Sequence, residues 1–408
     1  MTFYRYFMLA GDIGGTNARL AIYAASTANL SAGHVSTEVY TRKYKVRNFN
    51  SLAAVLAQFL KDAEKDRAIS LNEYLQIKSR RSILTLYSHY PTTACFAVAG
   101  PVANNEVDFT NIDNWPVTRG ADLQRQLGIQ KVQLINDFSA LSEGVVAMEE
   151  HGMWMNEKRH KYAPKLVIGA GTGLGECLLI WNGKYYQACP SEGGHVDFGP
   201  RNEEQSHILD YLRNKYNSSQ GGSPHVSVER LCSGKGIEEI YRYLRHRYPE
   251  NVHRESDAEF DRAVEKAVVV TEHGKKCLLS ASSRGIGILG AKLFSSNGGD
   301  VGSSSRKNES LLMQQALELF VAIYGAEVGN AALKFLPFGG IYIGGGIAAN
   351  LKEYLQLSPT FLSCIRDKGK MGQIVRKMPI KLILSDGVAI RGAETVARRK
   401  LQAFLDDI

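Results

Sequence analysis

The residues with the clearest capacity for chemistry lie in two glycine-rich stretches that share one pattern. "LAGDIGGTNARLAIY", from Leu9, and "VIGAGTGLGECLLIW", from Val167, each run from an apolar strand through glycines into a second apolar strand. Glycine permits a tight turn and lets backbone N–H groups approach an anion. One such hairpin is often purely structural. Two copies, one in each half of the chain, predict hairpins that clamp a polyphosphate between two domains.

A carboxylate distinguishes the first hairpin from the second. Asp12 stands where the aligned second stretch has Ala170, and Thr16 and Thr172 add hydroxyl donors. Mg²⁺ keeps several waters and takes few protein oxygens, so one aspartate beside the phosphates predicts a magnesium ion held through water. The predicted nucleotide-binding residues of the hairpins are Gly11, Asp12, Ile13, Gly14, Gly15, Thr16 and Asn17, and Gly171, Thr172 and Gly173.

A third glycine cluster extends this prediction. Gly344, Gly345 and Gly346 lie between a predicted strand and a predicted helix, which suits a nucleotide lying flat against the backbone. The segment "GIGILG" at 285–290 also fits the dinucleotide-binding pattern, but no convincing strand precedes it, so we interpret that match as a coincidence. The chain has no G-K-[ST] triplet, which excludes a P-loop.

A carboxylate follows the predicted strand "KVQLIND", where Asn136 and Asp137 end the run. Phosphoryl transfer to a hydroxyl needs a positioned acceptor oxygen and a base that takes its proton. A carboxylate at the end of a strand suits that base. Aspartate is also a common helix N-cap, and the residues alone leave both interpretations of Asp137 open.

Two further side chains fit sugar recognition. In "SEGGHVDFG", Glu192 and His195 are separated by two glycines, a turn that can direct both side chains into one cleft. A carboxylate accepts hydrogen bonds and a histidine can donate or accept, which suits neighbouring sugar hydroxyls. The alternative is that His195 is a structural histidine.

The elements that would position these residues alternate between strand and helix, which favours an α/β fold. Ser51 is a predicted N-cap for a helix with apolar residues at helical spacing, and 311–336 reads as a buried helix ended by Pro337. The segments 217–225 and 295–308 have loop composition. Strands are predicted at Leu9–Tyr23 on either side of the turn, at Glu38–Val46, and in "CFAVAGPV", "KVQLIND" and the start of "IYIGGGIAANL".

Composition narrows the class of protein. A chain of 408 residues predicts two or three domains. The net charge of +8 is scattered, which indicates a solvated basic surface and no nucleic-acid partner. Six cysteines without a CxxC pair indicate mostly buried thiols in a reducing compartment. No signal-peptide core or long apolar span is present in the sequence, so we expect a cytoplasmic protein without a membrane partner.

The motifs together resemble those of one family. "GDIGGTNARLAI", "LINDFSAL", "GAGTGLG", "EGGHVDFGP", "VERLCSGKGI" and "GGIYIGGGI" look like the bacterial-type glucokinases of the hexokinase–actin–chaperone ATPase superfamily. The resemblance implies a two-domain α/β fold, actin-like and ribonuclease-H-like, with an interdomain cleft that closes on glucose. It implies a small domain of 1–144 plus 388–408, with a C-terminal helix (388–405) packed on it, and a large domain of 145–387. The implied activity is ATP-dependent phosphorylation of glucose at its 6-hydroxyl, the first step of glycolysis, by a homodimer.

The resemblance also implies roles for individual residues. It makes Asp137 the catalytic base, with ATP and Mg²⁺ as the cofactors. No CxCGxxG cluster is present, which argues against the zinc-containing relatives. A kinase for another hexose, a polyphosphate-dependent glucokinase, a chaperone-like ATPase and a sugar-binding regulator are the alternatives; a regulator would need a DNA-binding head before Leu9, and a chaperone-like ATPase would not need the sugar contacts. The implied substrate-binding residues are Asn111, Asn136, Asp137, Glu192, His195 and Glu229.

Overall fold

The computed structural model divides the chain into two compact units. Unit 1 comprises Met1–His151, Asn182–Cys189 and Ser385–Ile408, and unit 2 comprises Gly152–Trp181 and Pro190–Leu384. The predicted domain boundaries, at 144/145 and 387/388, stay a prediction. The structure describes residues 5–26, 36–69, 90–109, 112, 114–148, 153–154, 160–217, 224–283, 310–357, 359–385 and 387–407.

The described residues form both strands and α-helices, with several runs of consecutive strands and a run of five consecutive helices. The strands are β1 (Arg5–Ile13), β2 (Asn17–Ser26), β3 (Thr37–Lys45), β4 (Pro91–Val98), β5 (Val102–Ala103), β6 (Glu106–Val107), β7 (Thr118–Arg119), β8 (Lys131–Asn136), β9 (Met153–Trp154), β10 (Lys165–Ala170), β11 (Leu174–Trp181), β12 (Tyr186–Ser191), β13 (Gly340–Gly344) and β14 (Ile380–Leu382). The helices are α1 (Leu52–Lys65), α2 (Gly120–Leu127), α3 (Asp137–Ala147), α4 (Glu203–Asn217), α5 (Gly234–Arg247), α6 (Arg254–Arg262), α7 (Lys266–Ser283), α8 (Leu311–Phe335), α9 (Gly346–Asn350), α10 (Lys352–Leu357), α11 (Pro359–Arg366), α12 (Gly372–Val375) and α13 (Val388–Asp406).

Unit 1 is built on a five-stranded sheet in the order β3-β2-β1-β4-β8. β1 and β2 form an antiparallel hairpin, and β1, β4 and β8 run parallel to one another. Side chains alternate across a strand, so β1 contributes Phe7 and Leu9 to the core beneath α1 and Met8 to the core beneath α13. Helix α1 begins as the sequence predicts, with Ser51 Oγ accepting from the Ala54 N–H at 3.2 Å.

Helices α3 and α13 cross at two glycines. A Cβ atom added to Gly144 would collide with the Val388 carbonyl, and one added to Gly392 would collide with the Ala140 carbonyl. Only the absence of side chains lets the two helix backbones come this close. The C-terminal helix α13 therefore packs against α3, the helix that begins at Asp137.

The sheet of unit 2 has the same arrangement of a hairpin and parallel strands as the sheet of unit 1. β10 and β11 form an antiparallel hairpin, while β10, β13 and β14 run parallel. The long predicted helix is present as α8, the one helix among the described residues that is long and apolar enough to cross a membrane. Of its most apolar 18-residue window, 83% is buried inside the protein, which marks α8 as a core helix.

The predicted strands of both hairpins, the strand of residues 38–46 and the strand-to-helix transition at 344–346 are confirmed. The "GIGILG" match at 285–290, the polar segment 295–308, residues 218–223 of the other polar segment and Asn111 lie outside the described residues.

Candidate active site

The catalytic candidates of unit 1 lie at one edge of its sheet. Ile13, Val98 and Asn136 share one register across the parallel strands β1, β4 and β8. The first glycine turn and Asp137 therefore leave the sheet at its carboxyl edge, where α/β folds commonly bind their ligands.

The N-cap of helix α3 is Asn136, so the interpretation of Asp137 as that N-cap is wrong. Asn136 Oδ1 accepts from the N–H groups of Phe138 and Ser139 at 2.9 and 3.3 Å, and its Nδ2 donates to the Gly100 carbonyl at 3.0 Å. Asp137 is the first residue of the helix, and its Oδ1 also accepts from the Phe138 N–H, at 2.8 Å. Because Asn136 supplies the N-cap, the second carboxylate oxygen of Asp137 is not needed to cap the start of the helix. The two side chains thus hold adjacent but different structural positions.

The carboxylates of Asp12 and Asp137 in unit 1 repel each other. Burial, together with the charge of Asp137, raises the pKa of the Asp12 carboxyl to about 6. Burial also raises the pKa of Asp137. Arg19 and Lys43 oppose the shift at Asp12. They lie on its side of the sheet, because Asp12 pairs with Arg19 and Arg19 with Lys43 across adjacent strands.

Sequence reasoning missed Arg19 and Lys43. The signal was available in part: once the turn is placed at 14–17, antiparallel pairing puts Arg19 opposite Asp12. Lys43 could not be placed without the register of β3.

The tip of the first hairpin combines exposed and buried positions. Gly15 and Thr16 are exposed, whereas Ile13 is fully buried in the core. Gly11 is buried as well, and a Cβ there would lie 2.6 Å from Leu20 and 2.8 Å from Phe96, so this glycine serves close packing. Asn17 Oδ1 is buried and accepts no hydrogen bond from a described residue. An orphaned oxygen and a carboxylate under repulsion are groups that a hydrated divalent cation would satisfy.

The second hairpin lies at the carboxyl edge of the sheet of unit 2. Gly169 and Gly344 are paired across β10 and β13, and a Cβ on Gly345 would lie 2.5 Å from the Ala170 carbonyl. Gly345 also has φ +87°, a conformation that favours glycine. The second and third glycine clusters are thus adjacent. Thr172 and Gly346 are exposed there.

The structure corrects the counterpart of Asp12 in the second hairpin. The last paired residue before the turn is Ile13 in the first hairpin and Ala170 in the second. Asp12 therefore corresponds to Gly169 and not to Ala170. The shift arises because four residues separate the final pair in the first hairpin and three in the second.

Three predicted sugar contacts come together in unit 2. His195 Nε2 lies 3.9 Å from Glu192 Oε2, and His195 Nδ1 lies 4.0 Å from Glu229 Oε1. The side chains are 81% exposed for Glu192, 59% for His195 and 27% for Glu229. Two carboxylates therefore flank one imidazole at an accessible surface, an arrangement with both acceptors and a donor for hydroxyl groups.

Glu229 also contacts the second hairpin. Its Oε2 accepts from the Leu174 N–H at 2.9 Å, and a Cβ on Gly173 would lie 2.5 Å from that oxygen. Glu229 does not cap the following helix, because Ser233 Oγ accepts from the Gly236 N–H and is the N-cap of α5. One carboxylate thus joins the glycine turn to the cluster of predicted sugar contacts.

Sequence reasoning also missed a histidine beside this cluster. His225 lies 2.8 Å from Asp197 Oδ1 through Nδ1 and 3.1 Å from the His195 carbonyl through Nε2. His225 therefore supports the backbone of His195. Its position in a polar segment gave no sign of this contact.

Magnesium fits unit 1 only in the form predicted from the sequence. No group of three or more His, Cys, Asp or Glu residues that could hold a metal exists among the residues the structure describes. Asp12, with the orphaned Asn17 oxygen nearby in sequence, suits an ion that keeps most of its own water.

Solved structures share this architecture across nearly the whole chain. A glucokinase from an Antarctic psychrotroph matches with a TM-score of 0.66 and 22% identity, covering 96% of this chain and 99% of that one. A ROK family glucokinase from Streptomyces griseus, solved in complex with glucose and AMPPNP, matches with a TM-score of 0.52 and 16% identity, covering 96% and 99%. These likenesses show that the chain has the actin-like ATPase fold of these kinases.

Sequence relatives make the assignment more specific. The glucokinase family model matches residues 9–400. The glucokinase of Nostoc sp. (strain PCC 7120) is 36% identical over 394 residues, covering 96% of this chain and 99% of the relative. The chain belongs to the glucokinase family.

Proposed function

We propose that this member of the glucokinase family transfers the terminal phosphoryl group of ATP to the 6-hydroxyl of glucose, with Asp137 as the base. The carrying observation is the position of Asp137 at the carboxyl edge of the parallel strands, next to a separate N-cap residue. Glucose and an ATP analogue are bound together in the Streptomyces griseus relative, which supports both substrates for this chain.

Asp137 acts on the attacking hydroxyl. Its raised pKa makes its carboxylate a stronger proton acceptor than an exposed aspartate. Asn136 holds the first turn of α3 and thereby fixes the backbone of Asp137. The oxygen–phosphorus bond to glucose forms as the bond between the terminal phosphoryl group and ADP breaks, and the hydroxyl proton passes to Asp137.

The hairpins supply donors for the phosphates. In unit 1 the exposed Gly15 and Thr16 present backbone N–H and hydroxyl groups, and in unit 2 Thr172 does the same. Asp12 would hold Mg²⁺ through water, with Arg19 and Lys43 as nearby positive charges. Bound Mg²⁺ would supply neutralisation of phosphate charge.

Glu192, His195 and Glu229 read the ring hydroxyls, and this supports glucose over hexoses altered at those positions. A site that hydrogen-bonds a hydroxyl rejects an analogue lacking it, because its own polar groups are then left unpaired. Asn111 stays in the predicted contact set on the resemblance alone.

The decisive experiment is a coupled kinase assay with ATP and Mg²⁺ against a panel of hexoses, with inorganic polyphosphate as an alternative donor. We expect glucose and ATP to give the highest kcat/KM. A higher kcat/KM with another hexose or with polyphosphate would reject the substrate assignment. A homodimer in the cytoplasm, acting in the first step of glycolysis, is the biological setting that we propose on the family resemblance.

A further inference from the structure

The carboxyl group of Glu176 lies inside unit 2, directly against the turn that carries two of the proposed sugar contacts. Glu176 is 3% exposed and points inward from β11. A Cβ atom on Gly193 would lie 2.7 Å from Glu176 Cδ and closer still to its Oε2. Gly193 follows Glu192 and comes two residues before His195. The turn therefore rests on this carboxyl group.

Hydrogen bonds connect the same two segments. Ser191 Oγ donates to the backbone carbonyl of Glu176 at 3.2 Å, and the Gly193 N–H donates to Ser191 Oγ at 3.2 Å. A Cβ on Gly194 would collide with the Leu174 carbonyl. The turn is therefore fixed to the backbone of β11 at Leu174 and Glu176, and the Glu176 carboxyl group lies directly against Gly193.

One carboxylate oxygen of Glu176 has no hydrogen-bond partner among the residues that the structure describes. Its Oε1 is buried and accepts no hydrogen bond from a described residue, and the same holds for Oε1 of Glu327 on α8. The second oxygen of Glu327 accepts from Asn330 Nδ2 at 2.9 Å. Burying an unpaired charge is costly, whereas a protonated carboxyl group avoids most of that cost.

The charged and titratable groups around Glu176 lie on helix α8, which also carries the buried hydroxyl of Tyr324, and on the segment after Glu229. Helix α8 presents Glu327, which repels it, and Lys334, which attracts it. The segment after Glu229 presents the buried thiol of Cys232. The positive charge of Lys368 lowers the pKa of Glu327 against the effect of burial. Lys368 also donates to the Ala326 carbonyl and to Asn330 Oδ1. Burial, then Glu327, raise the pKa of Glu176 to about 7 against the opposing Lys334.

We propose that Glu176 is a positioning residue for the sugar: its protonated carboxyl group fills the space beneath Gly193 and holds Glu192 and His195 in their binding positions. This inference rests on the proposed function, because it takes those two residues as sugar contacts. An ionised Glu176 is repelled by Glu327 and can gain hydration only by moving toward the surface, where the turn stands. Ionisation should therefore weaken glucose binding and leave the phosphoryl-transfer step largely unchanged.

The first test is a double-mutant cycle with Glu176→Ala, Gly193→Ala and the double variant. We expect each single change to raise the glucose KM about tenfold with kcat within about threefold, since only positioning is lost. In the double variant the added methyl group occupies the space vacated by Glu176, so its KM should stay within about threefold of Glu176→Ala alone. A KM equal to the product of the single effects would overturn the proposal.

The second test uses Glu176→Gln, which keeps the shape of the side chain and cannot ionise. The glucose KM of the unchanged protein should rise between pH 6 and 8, and in Glu176→Gln that rise should shrink severalfold. Comparing the two proteins removes the contribution of every other titrating group. Glu318→Gln is the matched control, since Glu318, on helix α8, is also a buried carboxylate, and burial raises its pKa too.

The outcomes separate this inference from the function beneath it. An unchanged pH profile in Glu176→Gln, or an equal flattening in Glu318→Gln, would reject the role of Glu176. If Glu229→Gln also left the glucose KM unchanged, the sugar site itself would be wrong. If Glu229→Gln raised the glucose KM as expected while Glu176→Gln left the pH profile unchanged, only the positioning role of Glu176 would be rejected.

Discussion

The hairpin of unit 1 turns at Gly14, Gly15 and Thr16, and the hairpin of unit 2 turns at Gly171, Thr172 and Gly173, each at the carboxyl edge of its own sheet. Around the first stand charges: Asp12, with Arg19 and Lys43 on the same side. Around the second stand glycines, with Gly169 at the position of Asp12 and Gly175 opposite it. The two hairpins share one backbone arrangement and differ in the charges around it.

The two tips are also supported differently. The second tip is held by Glu229, whose carboxylate accepts from Leu174 and lies near His195. The first tip keeps an orphaned oxygen on Asn17. The first hairpin therefore suits a metal–phosphate complex, while the second lies beside the predicted sugar contacts of unit 2. Five predictions test this division, taken from the largest expected effect to the smallest.

Asp137→Asn should lower kcat by roughly 10²–10⁴, the usual contribution of a positioned base. Glucose binding measured without ATP should be retained, because the sugar contacts of unit 2 are untouched. Asp122→Asn is a matched control, since Asp122 also lies in the first turn of a unit 1 helix and pairs with Arg125. Near-normal kcat in Asp137→Asn would remove Asp137 as the base.

Glu229→Gln should weaken glucose binding by about 10- to 150-fold, the loss of a charge-assisted acceptor worth about 1.5–3 kcal/mol. Affinity for ATP should change little, because glutamine can still accept from the Leu174 N–H. Titration calorimetry with glucose, beside a melting curve, checks both. A lower melting temperature with unchanged glucose Kd would make Glu229 a purely structural support of the second hairpin.

Asp12→Asn should raise the Mg²⁺ concentration needed for half-maximal activity by about 10- to 100-fold, as for residues that hold a metal indirectly. Glucose affinity without nucleotide should not move. Activity of the unchanged protein should also need more Mg²⁺ below pH 6, where Asp12 takes up a proton. Loss of glucose binding in this variant would place the first hairpin on the sugar side.

The same variant should be more stable at neutral pH. The pKa of Asp12 is raised in the folded protein, so the folded state binds the proton more tightly and the free energy of unfolding falls as pH rises from about 4 to 6. An asparagine side chain does not ionise, so Asp12→Asn should gain up to about 3 kcal/mol at pH 7 and almost nothing at pH 4. Urea unfolding at the two pH values measures the difference; equal gains at both would contradict the cause given.

Thr16→Ala and Thr172→Ala should each raise the KM for ATP by about 2- to 10-fold, the loss of one hydroxyl donor worth about 0.5–1.5 kcal/mol. Both threonines are exposed at the turn and lie two residues before the first paired residue of the second strand. Similar effects would mean that both tips face phosphate. An effect at Thr16 alone would assign the nucleotide contact to the first hairpin only.

The sequence carried the repeated hairpin and the position of Asp137 because glycine spacing and apolar runs are local signals. Prediction from the sequence was wrong where the neighbours of a residue depend on the register of paired strands. Four residues separate the final pair of the first hairpin, and three separate the final pair of the second. Aligning the two sequences by their glycines therefore matched Asp12 to Ala170, whereas the strand pairing matches it to Gly169. Glu176 was missed for a related reason: one carboxylate in an apolar strand shows its importance only when Gly193 and Glu327 are packed around it.

The position of α13 sets the order in which unit 1 can fold during synthesis. One face of its sheet, including Met8, Tyr23 and Cys95, is covered by Ile390, Ala393 and Leu401 of that helix. These covering residues follow all of unit 2 along the chain. At roughly 5–20 residues per second, translation leaves that apolar face without its helix for on the order of 10–50 s after α3 has emerged. The uncovered apolar face is prone to aggregation during this interval, and a chain that stops before α13 would keep that face uncovered.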